Sequence, residues 1–500
     1  MTLLQRSEWY DIARDTNWTP TYVPESELFP SEISDPFNMP AKAWAEYDEP
    51  YKVSYPEYVK VQREKDAGVY AVNTAAARTR FMEETDERWR SILKLHFGAV
   101  CRAETSSQIS EGRMARFGRA PGMRNMATFG LLDEIRHGQT QLYFAHECLR
   151  HSPQFNWAHK FLGTNEWGSI MARSTLDDVF MGRDAVTTAI MLTFAFETGF
   201  TNMQFIGLAG DAAEAGDTSF SNLISSIQTD ESRHAQIGAP LLKLMVRNGY
   251  KAEAQRAVDV GFWRTYRFFA LLTGTTIDYF TPLEKRQSSF KEFMQEWIIQ
   301  QFERTLLDMG LDLPWYWDYF IEDVDNFHHG MHIGWWLFRR TVWFNVPAGV
   351  SMPEREWLEA KYPGWNDSWG KLWDQVAHNI NSGRLDLLDP KALPAICASN
   401  NLPIIRDPSK PWDPEGQMLT YKGKKYYFQS HVDKWVFEQD IERYAEHQTL
   451  IDRLLAGHIQ PPTFEGALKY MSLSPVEQGQ DTDNYAWART YLRPQKVAAE

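Results

Sequence analysis

The chain has 500 residues, a formal net charge of −14, 43% hydrophobic residues and 14% aromatic residues. This length can bury a large core in about two or three domains, and the acidic balance argues against a nucleic-acid partner. Its three cysteines (Cys101, Cys148 and Cys397) lie far apart, which argues against a disulfide framework or an iron–sulfur cluster and fits a reducing cytoplasm.

Residues 1–60 are rich in proline and aromatic residues and show no sustained period. This composition predicts an extended arm that lies over the body or over a partner. The N-terminus lacks an apolar segment of the kind found in signal peptides.

Helical patterns dominate residues 61–345, which we predict to form one helical domain. The pattern breaks at Pro121 and Gly122, and a further helix near residues 165–180 separates two halves. The most apolar stretch is residues 186–209, but the polar side chains inside it argue against a membrane span. A helix that is apolar on nearly all sides belongs in the middle of a protein.

The C-terminal part differs in composition. Residues 346–418 are predicted to form loops and short helices, and residues 419–500 a small module with a β-hairpin, a helix and a tail. The module resembles a YHS-type metal module in outline, but that module's two cysteines would fall at Gln429 and Asp433. We therefore expect it to pack or dock rather than bind metal. The tail beyond Gln478 is expected to become ordered only against a partner.

Two pentapeptides stand out, DEIRH at residues 133–137 and DESRH at residues 230–234. Because residues three apart share a helix face, the Glu and His of each would present one oxygen and one nitrogen in the same direction. A lone Glu-x-x-His occurs about once by chance in a chain this long. Each pentapeptide alone could be an exposed face with Asp and Arg paired, but the repeat is far more specific.

A single glutamate precedes each pentapeptide, Glu104 the first and Glu197 the second. Glu197 lies within the apolar stretch, where an isolated carboxylate would need a cation. Two helices giving one Glu each and two giving Glu-x-x-His each is the arrangement of ferritin-like di-iron bundles. We predict a mainly α fold, with such a four-helix bundle inside a larger helical domain, and these metal ligands: Glu104, Glu134, His137, Glu197, Glu231 and His234.

The other charged residues of the pentapeptides also have a use. Metal-bound His donates its other N–H to a carboxylate, and Asp133 and Asp230 are suited to accept it. Arg136 and Arg233 would then keep those carboxylates ionised. A rival candidate for a metal site comprises Asp325, His328, His329 and His332. Such a cluster is more typical of interfacial hydrogen bonding than of metal binding.

Four carboxylates and two imidazoles suit two iron or manganese ions and leave positions open for O₂. Thr201, one turn after Glu197, could carry a proton to activated oxygen or could bond back to its own helix. Asn202 and Gln228 are polar groups that backbone could equally satisfy. The expected pocket suits a small hydrocarbon, although each member could be ordinary core: Val100, Ala103, Ser107, Leu192, Phe196 and Phe205.

Electrons for O₂ activation are expected to come from other proteins. The chain has no GxGxxG fingerprint after a strand, no Walker motif and no Cys₄ set, which predicts no flavin, NAD or iron–sulfur cluster here.

Three stretches carry a family resemblance, YDEPY at residues 47–51, ETGFTNMQF at 197–205 and ISSIQTDESRH at 224–234. They resemble the large (alpha) subunit of the soluble toluene/o-xylene and alkene monooxygenases, and the similarity runs along nearly the whole chain. The resemblance implies a cytoplasmic bacterial hydroxylase with beta and gamma subunits in an (αβγ)₂ assembly. It also implies a di-iron centre served by an NADH reductase, a Rieske ferredoxin and a small effector protein.

The resemblance implies the same six ligands, with Thr201 as the active-site threonine and Asn202 and Gln228 as an effector-responsive polar pair. Two pocket positions depart from the toluene enzymes, which usually carry Gly where Ala103 stands and Phe where Leu176 stands. Arg102 and Ser107 also replace apolar residues. Residues 10–15 and 368–374 look slightly more like the alkene branch. Small alkenes and arenes both stay open as substrates.

Two other protein classes compete with a monooxygenase. A radical-generating reductase subunit should have Tyr where Gln141 stands, four residues after the first ligand His. An iron-handling protein would be a much shorter bundle. A metal-free helical scaffold would leave a buried Glu197 without a partner.

Overall fold

The computed structural model describes residues 20–338, 344, 346–470 and 487–492, together with residues 5, 8, 9, 12 and 18. Over this part the chain is mainly helical with one small sheet, which confirms the predicted fold class. Most of residues 10–15, and all but a few residues of the tail beyond Gln478, lie outside the described ranges. None of the described helices has both the length and the apolar character needed to cross a bilayer.

Eight helices build the part of the molecule that holds the predicted ligands. They are α1 (Tyr55–Ala76), α2 (Glu87–Phe117), α3 (Pro121–Glu147), α4 (Trp167–Leu176), α5 (the consecutive segments Ala185–Thr188, Ala189–Thr201 and Asn202–Glu214), α6 (Thr218–His234), α7 (Gly238–Arg247) and α8 (Lys251–Phe269). The C-terminal half adds α9 (Gln300–Asp308), α10 (Trp317–Asp323), α11 (Phe327–Leu337), α12 (Met352–Lys361), α13 (Trp369–Asn381), β1 (Met418–Tyr421), β2 (Lys424–Tyr427) and α14 (His431–Gln439).

Shorter helical segments connect these elements. The α-helical ones are Glu25–Leu28, Ala41–Trp44, Phe81–Glu84, Phe290–Phe293, Pro414–Gln417, Ile441–Glu446, Leu450–Leu455, Phe464–Tyr470 and Ala488–Tyr491. The 3₁₀ turns are Cys148–Arg150, Pro153–Trp157, Phe161–Gly163, Ala235–Ile237, Leu283–Lys285 and Leu385–Leu387, and further π-helical segments are Asp177–Met181, Ala270–Gly274, Thr276–Phe280 and Met294–Ile299.

Helices α2 and α3 form a tightly packed pair. The side chain of Asp86 caps α2 by accepting from the backbone N–H of Arg88, and Pro121 stands in the first turn of α3, where its missing N–H costs nothing. The helices approach closely at Gly138, where a Cβ would lie 3.5 Å from Cβ of Glu104. This approach brings Glu104 beside the first pentapeptide.

Helix α5 is buried on nearly all sides over residues 185–202 and contains a long π-helical segment, Ala189–Thr201. Asp184 caps its start by accepting from Thr187 N–H at 2.9 Å. In a π-helix each backbone carbonyl accepts a hydrogen bond from the N–H of the residue five positions later, and such segments concentrate at functional sites. Glu197 lies within this segment, which the sequence did not reveal.

The N-terminal stretch packs against the body more closely than an arm would. Trp44 and Tyr47 are buried, and Tyr47 OH donates to the carbonyl of Ile237, which follows α6. Residues 20–54 thus contribute to the core, and α1 begins at Tyr55, ahead of the domain boundary predicted at residue 61.

The C-terminal module has the predicted hairpin followed by a helix. β1 and β2 pair antiparallel with Tyr421 opposite Lys424, and Lys422 and Gly423 both have positive φ, as a tight two-residue turn requires. Buried Asp433 on α14 accepts from Trp263 Nε1 at 2.9 Å and from Arg267 at 3.0 Å. Asp433 therefore ties the module to α8 through a buried polar network.

Replacing Asp433 by Ala should destabilise the protein by about 3–5 kcal/mol, because Arg267 and Trp263 would remain buried without this acceptor. Urea denaturation of the wild-type and variant chains measures the difference. Asp386→Ala, which removes the exposed partner of Arg384, is the matched control and should leave the urea midpoint unchanged. Equal midpoints for Asp433→Ala and the wild type would contradict this role.

Candidate metal centre

Four helices bring the six predicted ligands together. Glu134, His137, Glu231 and His234 each offer a ligand atom, and these four atoms lie within 4.8 Å of one another. His137 Nδ1 is 3.3 Å from Glu231 Oε1, and His234 Nε2 is 3.6 Å from Glu134 Oε1. The two pentapeptides therefore face each other across the interior of the bundle.

The two single glutamates complete the group. Glu197 Oε1 lies 3.0 Å from His234 Nδ1, and Glu104 is hydrogen-bonded to Glu134. None of the six side chains is more than 5% exposed. The convergence of one Glu from α2, one from α5 and a Glu–His pair from each of α3 and α6 is that of a ferritin-like carboxylate site.

Burial disfavours the ionised form of these carboxylates. Burial raises the pKa of Glu134 well above its ordinary value, and the neighbouring Glu231 and Glu104 raise it further. The pKa of Glu197 rises to about 7 for the same primary reason. Burial would lower the pKa of His137, but the neighbouring carboxylates of Asp230 and Glu231 raise it to about 9. A group of acids this close together needs either protons or metal ions.

The donor set fits metal ions. Among the described residues, one ligand atom on each of four side chains has no hydrogen-bond partner: Glu134 Oε2, His137 Nδ1, Glu197 Oε2 and His234 Nε2. Carboxylate oxygens with imidazole nitrogens are ligands that suit iron and manganese. Buried polar atoms without a partner are rare, and cations at this site would give these atoms partners.

Behind the ligands lies a second layer of charged residues, in which Asp230 orients His137. Asp230 Oδ2 lies 3.3 Å from His137 Nε2 and 2.9 Å from Arg136. Burial alone would raise the pKa of Asp230, but the contact with His137 and the charges of Lys65 and Arg233 lower it well below its ordinary value. Asp230 is therefore placed to accept from His137 as a full carboxylate.

Asp133 behaves differently from Asp230. Its oxygens accept hydrogen bonds from Arg233, from Tyr58 OH at 2.8 Å and from Gln62 Nε2 at 2.8 Å. These three donors take the place of the hydrogen bond that we expected from His234. Burial and the nearby charge of Asp230 raise the pKa of Asp133 despite Arg233. The expected symmetry of the two pentapeptides thus fails at this residue.

Helix α1 supplies a bridge that the sequence did not suggest. The amide of Gln62 donates to Asp133 Oδ1 and to Asp230 Oδ1, each at 2.8 Å. Lys65, one turn later, lies 2.5 Å from Asp230 Oδ1. A helix outside the four ligand-bearing helices therefore holds both aspartates in place.

Glu111 is a fifth buried acid that sequence reasoning missed. It lies seven residues, or two turns, after Glu104 and so shares its face. Its carboxylate has no hydrogen-bond partner among the described residues and lies 4.0 Å from His234 Nδ1. Glu111, Glu197 and His234 form a second group of converging ligand atoms, and a Cβ at Gly130 would meet the Glu111 carboxyl group at 2.8 Å. The seven-residue spacing was the available signal.

The polar residues near Glu197 form contacts of their own. Thr201 Oγ1 donates to the Phe196 carbonyl at 3.3 Å. Asn202 donates to the Glu197 carbonyl at 3.2 Å, and its Oδ1 accepts from Ser232 at 3.0 Å. Gln228 donates to the same Ser232 hydroxyl at 2.7 Å. Ser232 therefore joins Asn202 and Gln228 into one chain between α5 and α6.

A cavity of about 250 Å³ lies between α2 and α5, one turn from Glu104. Val100 lines it together with His96, Gln204 and Leu208. Most of its lining is apolar, as expected for a hydrocarbon. The other pocket residues that we predicted do not line this cavity: Ala103, Ser107, Leu176, Leu192, Phe196 and Phe205. Phe196, for example, packs in an aromatic cluster, with its ring 4.7 Å from that of Phe180.

The rival histidine cluster has a different acid from the one predicted. His328 Nε2 lies 2.7 Å from Asp278, which also accepts from Tyr362 OH at 2.6 Å. Asp325 instead pairs with Lys291 at 2.5 Å. Asp278 is thus already satisfied by hydrogen-bond donors, which favours a structural role for this cluster.

Replacing Gln62 by Leu should weaken metal binding about 10- to 100-fold, the usual effect of removing a residue that supports metal ligands. Competition with a chelator measures the affinity. Asn73→Leu is the control on the same helix, because Asn73 contacts Ser219 rather than the aspartates. Equal affinities in the two variants would rule out the bridging role of Gln62.

Comparisons with known proteins place these features in a family. The model of the methane/phenol/alkene hydroxylases matches residues 18–249, which include all six ligands. The alpha subunit of the oxygenase component of the alkene monooxygenase system from Xanthobacter autotrophicus strain Py2 is 45% identical over 503 residues, covering all of both chains. The oxygenase component of phenol 2-monooxygenase from Pseudomonas sp. strain CF600 is 25% identical, covering 90% of this chain and 86% of its own.

A solved structure gives the same fold. The xenon-pressurised phenol hydroxylase from Pseudomonas sp. OX1 superposes with a TM-score of 0.83 at 22% identity, covering 98% of this chain and 100% of that one. The full-length relationship at 45% identity shows the family directly. This chain belongs to the methane/phenol/alkene hydroxylase family.

Proposed function

We propose that this chain is the catalytic subunit of a multicomponent monooxygenase that activates O₂ at a di-iron centre. The observation that carries the proposal is the convergence of four glutamates and two histidines in one buried site. Family membership supports it, because the relatives bear the names of alkene, phenol, propane and methane monooxygenases.

The iron ligands are Glu104, Glu134, His137, Glu197, Glu231 and His234. Four carboxylates balance two divalent ions, so the loaded centre is neutral and its burial costs little. When bound there, the iron pair supplies the redox chemistry by which one oxygen atom of O₂ reaches the substrate.

The chain's own residues orient ligands and handle protons. Asp230 fixes the ring of His137 through Nε2, and the burial of all six ligands excludes water from the centre. We propose that the Thr201 hydroxyl, now bonded to the Phe196 carbonyl, delivers a proton to the reacting oxygen. Asn202 and Gln228, joined through Ser232, form a polar pair that responds to an effector protein.

The favoured substrate is a small alkene, which the enzyme would convert to an epoxide. The relative at 45% identity is named for alkene oxidation, whereas the phenol enzyme is 25% identical. The apolar cavity beside Val100 can hold a small hydrocarbon. Hydroxylation of arenes such as benzene or toluene is the alternative within the same chemistry.

With no dinucleotide or iron–sulfur motif in its sequence, the chain needs electrons from other proteins. Its resemblance to the toluene/o-xylene and alkene monooxygenases implies that these are an NADH reductase and a Rieske ferredoxin. We propose that beta and gamma subunits complete an (αβγ)₂ hydroxylase in the bacterial cytoplasm. The names of relatives as components or subunits of oxygenase systems support such an assembly.

The purified complex should contain about two irons per copy of this chain. Glu231→Ala should lose most of this iron and all turnover, because Glu231 lies between both ligand histidines, 3.3 Å from one and 3.9 Å from the other. Iron content and product formation are measured on the same preparation. Glu253→Ala, at an exposed position of α8, is the control and should match the wild type. Normal activity in Glu231→Ala would refute the ligand assignment.

Product analysis with propene and toluene, offered separately to the reconstituted system, distinguishes the two substrate classes. We expect epoxide to form faster than phenolic products, because the chain is more similar to the alkene enzyme. The ratio of initial rates, measured by gas chromatography, is the readout. A higher rate with toluene would assign the chain to the arene hydroxylases.

A further inference from the structure

His96 lies at the meeting point of the cavity and the metal centre. It stands eight residues before Glu104 on α2, so the Cα atoms of the two residues lie about 12 Å apart along the helix axis. The His96 ring lines the cavity beside Val100 and packs edge-on against Phe220, with the ring centroids 5.0 Å apart. This ring is the polar member of an otherwise apolar part of the wall.

Gln141 on α3 fills the gap between His96 and Glu104. Its Nε2 donates to Glu104 Oε1 at 2.5 Å, and its Oε1 lies 2.7 Å from His96 Nε2. All three side chains are buried. They form a continuous hydrogen-bonded chain from the cavity wall to a predicted metal ligand.

The direction of each hydrogen bond in this chain is fixed by chemistry. A carboxylate that binds metal only accepts, so the Gln141 amide must present its NH₂ group to Glu104 and its oxygen to His96. His96 must then carry its proton on Nε2. Burial lowers the pKa of His96 to about 4, so the ring is neutral near pH 7 and has one N–H to give.

We propose that His96 is a positioning residue: its N–H holds the amide of Gln141, and Gln141 in turn holds the carboxylate of Glu104 in place for metal binding. The inference rests on the di-iron function proposed above. It gives the cavity wall a direct mechanical connection to the centre, so a change in the His96 ring reaches Glu104 through two hydrogen bonds. Buried hydrogen bonds in series strengthen one another, which suits them to this task.

Loss of the His96 donor would have a defined consequence. The amide oxygen of Gln141 would be buried without a donor, and the amide could rotate to find one. Glu104 would then lose its hydrogen bond from Gln141 and become free to move from its ligand position. The iron nearest Glu104 should consequently exchange faster with solution.

The test is the rate at which the iron-loaded complex releases iron to a ferrous chelator under reducing conditions. We expect His96→Leu and Gln141→Leu each to release iron several-fold faster than the wild type. The double variant should release iron no faster than Gln141→Leu alone, because His96 acts only through Gln141. His96→Gln, which keeps an N–H donor of similar reach, should restore most of the wild-type rate.

His332→Leu is the matched control. His332 is also buried and neutral, and its Nε2 donates to the Ala348 carbonyl at 2.8 Å instead of to an amide that holds a candidate ligand. Its iron release should equal that of the wild type. Wild-type rates in His96→Leu, multiplicative effects in the double variant, or equally fast release in His332→Leu would each overturn the proposal. A wild-type complex without iron would instead overturn the proposed function.

Discussion

The main physical constraint on this structure is the electrostatic cost of placing several carboxylates in a protein interior. Glu104, Glu134, Glu197 and Glu231 lie deep among four helices, where water cannot screen them. In the absence of cations, burial and mutual repulsion push the pKa of Glu134 well upward. The two divalent ions proposed for this site would remove that conflict and would make the cluster stable. The same ions would thus stabilise the bundle as well as perform its chemistry.

A layer of paired charges surrounds this centre and is less symmetric than the sequence. Asp230 reaches a ligand histidine, while Asp133 is occupied by Arg233, Tyr58 and Gln62. The two similar pentapeptides therefore serve different purposes, because the helix that packs behind them contacts both aspartates from one side. The N-terminal stretch and α1 are consequently part of the site's support, not a covering laid over a finished domain.

The convergence of the six candidate ligands could be predicted from the sequence because residue spacing on a helix fixes direction, and a repeated Glu-x-x-His is uncommon by chance. The hairpin and helix of the C-terminal module were predictable for similar local reasons. Other features depend on tertiary packing, which no local pattern encodes. The cavity walls, the role of Gln62 and the pairing of His328 with Asp278 rather than Asp325 are of this kind. Glu111 has a local signal, because its seven-residue spacing from Glu104 places both on one helix face.

The π-helical segment of α5 constrains the number of residues in that segment more than it constrains their identity. Along Ala189–Thr201 the backbone hydrogen bonds join residues five positions apart. The side chains of Thr201 and Asn202 each donate to a backbone carbonyl five positions earlier. Deleting one residue would favour ordinary α geometry in the segment and would disrupt the bonds of Thr201 and Asn202 to the carbonyls five positions back. Most of the apolar side chains in this segment could be replaced by others of similar size, whereas an insertion or deletion there would be poorly tolerated.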